Sequence, residues 1–137
     1  MYKTIMVPID LSHAEKGAAM IDVAKNMNPG NDARIILLNV LPELPPYMAE
    51  QLPKDVMADS RPAAQKELQA IADNSGIKCE AITKIGHAYR TILETAEDEG
   101  ADLIIIASHQ PGIQDYFLGS TAARVVRHSR CNVHVLR

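Results

Sequence analysis

Aromatic residues and cysteine are scarce in this chain. Its 137 residues include no Trp, four Tyr and one Phe. A core must therefore be built from Ile, Leu, Val, Ala and Met, and a hydrophobic content of 47% suffices for one domain of this size. Only Cys79 and Cys131 occur, far apart and in no C-x-x-C pair. That excludes a disulfide framework and fits a reducing compartment. No apolar run approaches the ~20 residues that span a bilayer, and the first residues lead straight into a strand-like run without the plan of a signal peptide. The chain accordingly reads as soluble and cytoplasmic, with no membrane partner. Positive charge is not in excess: the net charge of −3 argues against a nucleic-acid partner. Arg124, Arg127 and Arg130, in or just after one helical stretch, read as a solvated face. The phosphate-loop pattern G-x4-G-K-[ST] is missing, and no nucleophile elbow surrounds Ser108. His13, His109 and Asp10 show no tight metal-ligand spacing, so no metal site is expected from them alone.

What is present is a regular alternation. Residues 4–9 (T-I-M-V-P-I) read as a buried strand with Pro8, which cannot donate to a ladder, at its exit. Ser12 and Glu15 make a capping-box pattern, S-x-x-E, that opens a helix with Met20, Ala24 and Met27 on its core face, stopped by Pro29-Gly30. A second strand covers residues 34–40. Residues 41–60 hold four prolines and no clear period, and read as a long connection suited to a lid or a partner surface. Pro62 fits the first turn of a second helix, which carries Ala64, Leu68, Ile71 and Ala72 on one face and ends before Gly76. A third strand at 78–85 precedes a helix marked by Ala88, Ile92 and Ala96 and closed by Gly100. Leu103–Ala107 is an unbroken apolar run, hence a strand buried on both faces. Gly119-Ser120-Thr121 then opens a helix with Ala122, Val125 and Val126 on one face, a small hydroxyl capping its start. Asn132–Leu136 makes a fifth strand.

This β-α-β-α-β-α-β-α-β order, with no linker, predicts one α/β domain over residues 1–137. Its expected form is a doubly wound parallel sheet of five strands in the order 3-2-1-4-5, with helices on both faces. In that order strands 1 and 4 are neighbours whose connections leave in opposite directions, and ligands bind in the crevice beyond such strand ends. The ends are Pro8-Ile9-Asp10 and Ala107-Ser108-His109-Gln110. Glycine at 119 permits close backbone approach, and the N–H groups at the following helix start, with its dipole, favour an anion such as phosphate. Gly-Ser before a helix also serves mere turning and capping, so the motif alone does not establish a ligand.

These residues resemble the universal stress protein family over nearly the whole chain. The anchors are V-P-I-D at 7–10, L-L-N-V at 37–40, A-D-L-I-I-I-A-S-H at 101–109, L-G-S-T-A at 118–122 and V-V-R-H-S-R-C-N-V at 125–133. The resemblance implies the five-stranded fold, a homodimer, and one of two subgroups, ATP-binding or not. ATP-binding members carry G-x2-G-x9-G-S/T. Here Ala107 and Gln110 stand at the first two glycines, eight residues rather than nine precede Gly119, and Gly119-Ser120 is kept. The A-S-H-x-P wording resembles a shorter subgroup in which nucleotide binding persists. A Gln amide donates to phosphate oxygens, and Gly112 offers backbone freedom nearby.

The expected adenine-nucleotide site thus comprises Pro8, Ile9, Asp10, Val40, Ile106, Ala107, His109, Gln110, Gly119, Ser120 and Thr121, with ATP, alone or with Mg²⁺, as the ligand. Asp10 suits a ribose hydroxyl, Mg²⁺, or the cap of the first helix. Val40 offers its backbone to an adenine edge or is ordinary core. With no lysine in the loop, no arginine finger and no evident catalytic base, ATP is expected to regulate, with slow hydrolysis at most. The alternative is a ligand-free interaction module acting through the Pro-rich segment. A hydrolase using Asp10 and His109 is more distant. His87 and His128 are assigned to structure or surface. The C-terminal strand, at a sheet edge without Pro, Gly or Lys to guard it, is the expected dimer contact.

Overall fold

A computed structural model describes residues 1–108 and 118–137 of the chain. Five parallel strands form one sheet: β1 (Thr4–Pro8), β2 (Arg34–Leu41), β3 (Glu80–Ile85), β4 (Leu103–Ala107) and β5 (Asn132–Leu136), in the order β3-β2-β1-β4-β5. Strands β1, β2 and β4 are almost continuous Ile, Leu, Val and Met, because both of their faces are covered. Ile5, Val7, Ile35, Leu37, Leu103 and Ile105 point to one face, under helices α1 (Ala14–Asn26) and α3 (Lys54–Asn74). The alternate residues Met6, Ile36, Leu38, Ile104 and Ile106 point to the other, under α4 (Ala88–Asp98) and α5 (Ser120–His128). A short helix, α2 (Pro46–Ala49), lies between β2 and α3. The doubly wound α/β fold and its strand order are as the alternation predicts.

Several local expectations are corrected. Residues 41–60 are not one irregular connection: β2 reaches Leu41, α2 follows, and α3 starts at Lys54, so Pro62 stands inside a helix rather than in its first turn. A proline there forfeits one backbone bond and crowds the preceding turn, a cost the helix bears while Ala64, Leu68 and Ala72 keep their contacts to the core. The capping box does not form. Asp10 accepts from the Ser12 N–H (2.9 Å) to start a single 3-10 turn, Leu11–His13, and α1 begins only at Ala14 without a side-chain cap. Helix α5 likewise has Gly119 as its N-cap, so no hydroxyl caps it, and Val126 faces outward, 43% exposed, rather than joining Ala122 and Val125. Strand β3 starts at Glu80, two residues later than expected.

Candidate functional site

Strand β1 pairs with β2 along its whole length, from Thr4↔Arg34 to Pro8↔Leu38. Its ladder with β4 covers only Ile5↔Leu103 and Met6↔Ile104. Beyond Met6 and Ile104 the two strands part. The chain leaves β1 toward the face holding α1, while α5, the next described helix after β4, lies on the other. A cleft of about 430 Å³ opens between them.

Each wall has a local cause. On the β1 side, the Ile9 N–H bonds to the Leu38 carbonyl (2.7 Å) and Asn39 Nδ2 donates to the Ile9 carbonyl (2.9 Å), which carries the strand past Pro8. Asp10 is then held at both ends: its Oδ1 accepts from Ser12 and its backbone carbonyl from the His13 N–H (3.0 Å). Gly17 lets α1 approach closely, since a Cβ there would meet Ile9 Cδ1 at 3.3 Å. The adjacent Lys16, half-buried, donates from Nζ to the Ser108 carbonyl at 3.3 Å. On the far wall, Gly119 has φ −58°, a value open to any residue, so glycine matters there for its missing side chain. With no side-chain cap at Gly119, the N–H groups of the first turn of α5 meet no side-chain acceptor among the described residues. Helix α4 also begins at the cleft, through Ala88, and His87 before it supplies no side-chain cap. Two positive helix ends therefore border one opening.

Of the residues expected from sequence, Pro8, Ile9, Asp10, Val40, Ile106, Ala107, Ser120 and Thr121 line this cleft together, and Gly119 adjoins them as the N-cap of α5. His109 and Gln110 lie outside the described residues. His13 is on the cleft wall, with Nδ1 3.8 Å from Glu15 Oε1. His87 and His128 instead flank the Tyr89 ring, at 5.0 and 6.4 Å between centroids. Sequence reasoning missed Asn39, Pro42, Ala88 and above all Lys16. Asn39 and Pro42 were within reach, being next to Val40 and at the end of the same strand. Among the described residues no group of three His, Cys, Asp or Glu is placed to hold a metal ion. No helix among them is long and apolar enough to cross a membrane.

Residues 1–137 match the family described as the Universal stress protein family. Universal stress protein G of Escherichia coli O157:H7 is 31% identical over 143 residues, covering all of both chains. Among solved structures, a universal stress protein in complex with cAMP superposes with a TM-score of 0.71 at 22% identity, over 99% of this chain and 97% of that one. The universal stress protein of Archaeoglobus fulgidus in complex with dAMP superposes with a TM-score of 0.69 at 15% identity, over 99% and 98%.

Proposed function

Because this chain belongs to the universal stress protein family, we propose that it is a stress-response protein that binds an adenine nucleotide in the cleft between β1 and β4. The observation that carries this reading is the cleft itself. The exits of three strands and two uncapped helix starts meet there, with Gly119 leaving the backbone open to a ligand. Relatives of the same fold were solved with cAMP and with dAMP, both adenine nucleotides with one phosphate. In this chain the phosphates would lie on Gly119, Ser120 and the Thr121 N–H. The Val40 backbone would meet the adenine edge. Asp10, whose Oδ1 is taken by Ser12, keeps Oδ2 for a ribose hydroxyl or Mg²⁺. The donor set fits such a ligand: backbone N–H groups for the anion, and apolar Ile9, Ile106 and Pro8 for the base and sugar. ATP acts as a regulatory ligand in this reading, and turnover lies far below the ~1–100 s⁻¹ of kinases, since the sequence holds no G-x4-G-K-[ST] pattern and no lysine between Ala107 and Thr121.

Calorimetry on the purified protein with ATP, ADP and AMP, with and without Mg²⁺, tests this directly. Binding is expected in the unmodified protein, abolished by Gly119→Val and weakened by Asp10→Ala. Absence of binding at millimolar ATP with Mg²⁺ would remove the reading. Phosphate release at kinase-like rates, lost in Gly119→Val, would refute the regulatory role.

A second reading has its own observation. The Pro-rich segment between β2 and α3 exposes Leu44, Tyr47, Met48 and Leu52, with Tyr47 67% exposed. Four apolar side chains so close in sequence suit contact with a partner protein. On that reading the family fold presents the segment and the cleft stays without nucleotide. Chromatography of denatured protein separates the two: co-purifying nucleotide supports the first reading and its absence the second. We further propose that the protein works as a cytoplasmic homodimer joined through β5.

A further inference from the structure

Among the described residues, Lys16 is the lysine on the cleft wall, and nothing in its sequence surroundings marks it out. It belongs to α1, on the face of the sheet opposite α5. Its neighbour Gly17 lets that helix close on Ile9. The Lys16 ammonium spends one of its three donors on the Ser108 carbonyl at 3.3 Å. Among the described residues no carboxylate stands within 4.0 Å of it, and the acid on the same wall, Asp10, is turned to the Ser12 N–H. A half-buried cation without a counter-charge is costly unless an anion meets it. The uncapped start of α5 adds positive potential at the same opening from the other face.

We propose that Lys16 is a phosphate-binding residue, whose ammonium neutralises the nucleotide phosphate next to the ribose from the α1 side of the cleft. It supplies a full positive charge, which the neutral backbone N–H groups at Gly119 and Ser120 do not. The inference rests on the nucleotide reading above and deepens it: the site selects nucleotides over nucleosides by charge.

The test is calorimetry with adenosine and AMP on the unmodified protein, Lys16→Gln and Lys16→Arg, adenosine being measured directly or by displacement of AMP. Gln keeps a donor for the Ser108 carbonyl but removes the charge. Lys16→Gln is expected to lower AMP affinity about ten- to hundredfold, the worth of a charge-assisted hydrogen bond, and to leave adenosine affinity unchanged with a Tm equal or higher, since the uncompensated charge is gone. Lys16→Arg restores most of the AMP affinity, and the salt dependence of AMP binding is shallower in Lys16→Gln. Equal losses for adenosine and AMP, or a matching fall in Tm, would make Lys16 a structural tether and overturn the proposal. So would unchanged AMP affinity, which leaves the nucleotide reading standing. If the unmodified protein binds neither ligand, both readings fall together.

Discussion

Asp102 shows how one side chain sets the starting point of the central ladder. Its carboxylate accepts from the Lys3 N–H (2.9 and 3.2 Å to its two oxygens) and the Thr4 N–H (3.0 Å), while its own N–H bonds to the Thr4 carbonyl (3.0 Å). Burial alone would raise the carboxyl pKa, but the backbone donors of Lys3 and Thr4 outweigh it and hold the group below its ordinary range. A carboxyl depressed in the folded state stabilises above its unfolded pKa, near 3.9, and loses that contribution as pH falls through the folded value. Asp102→Ala should therefore cost about 1–2 kcal/mol at neutral pH. Urea unfolding should show the gap to the unmodified protein constant down to about pH 5 and closing below about pH 4. A gap unchanged at pH 3 would contradict the assignment. Other single residues differ in how far sequence alone reveals them. Asp10 was legible because a polar residue ends an apolar run. Lys16 was not, because its partner is 92 positions away and a lysine on an amphipathic helix looks like solvated surface.

Helix boundaries were less legible than helix identities. The faces of α1, α3 and α4 followed from their spacing: Met20, Ala24, Leu68, Ala72, Ile92 and Ala96 are all buried. The start of α3 did not, because a proline is a strong local signal for a first turn. Helix α3 nonetheless starts at Lys54, and Ala64, Leu68 and Ala72 pack only the part that follows Pro62 on the sheet. Pro62, exposed and interior, is then a local fault. Pro62→Ala should raise stability by about 1–3 kcal/mol, since an interior proline costs ~3 kcal/mol and its stiffening of the unfolded chain offsets part of that. An unchanged or lower denaturant midpoint would show that α3 does not run continuously through this position. Gly86 has the opposite character. A Cβ there would stand 2.5 Å from Thr91 Oγ1, and Thr91 is buried at the first turn of α4. Gly86→Ala should lower the midpoint by the equivalent of about 1–3 kcal/mol through overpacking.

At the scale of the whole molecule, the strand order was legible because five apolar runs alternate with helices and right-handed crossovers leave few arrangements. The same order leaves β5 with one free side. The Ser108 N–H bonds to the Leu136 carbonyl (2.8 Å), so Leu136 directs its backbone groups toward β4. Along a strand these directions alternate, so Val135 directs its own N–H toward the free edge. Val135→Pro thus removes a donor from the proposed dimer contact without breaking the ladder to β4, and light scattering should report monomer where the parent is dimer. A monomeric parent, or a folded variant equally dimeric, would rule the interface out. The placing of β1 has one more consequence. It is made first, yet it lies at the centre of the sheet, and the strand on its second side is made about a hundred residues later (Lys3 to Asp102 is a separation of 99). Asn132 then reaches back to the Tyr2 hydroxyl across 130 positions. On a ribosome the nascent chain can pair β1 with β2 early, but one flank of this central, buried strand stays open until β4 emerges. Vectorial synthesis therefore runs against this topology, and the half-made chain is where chaperone contact and misassembly concentrate.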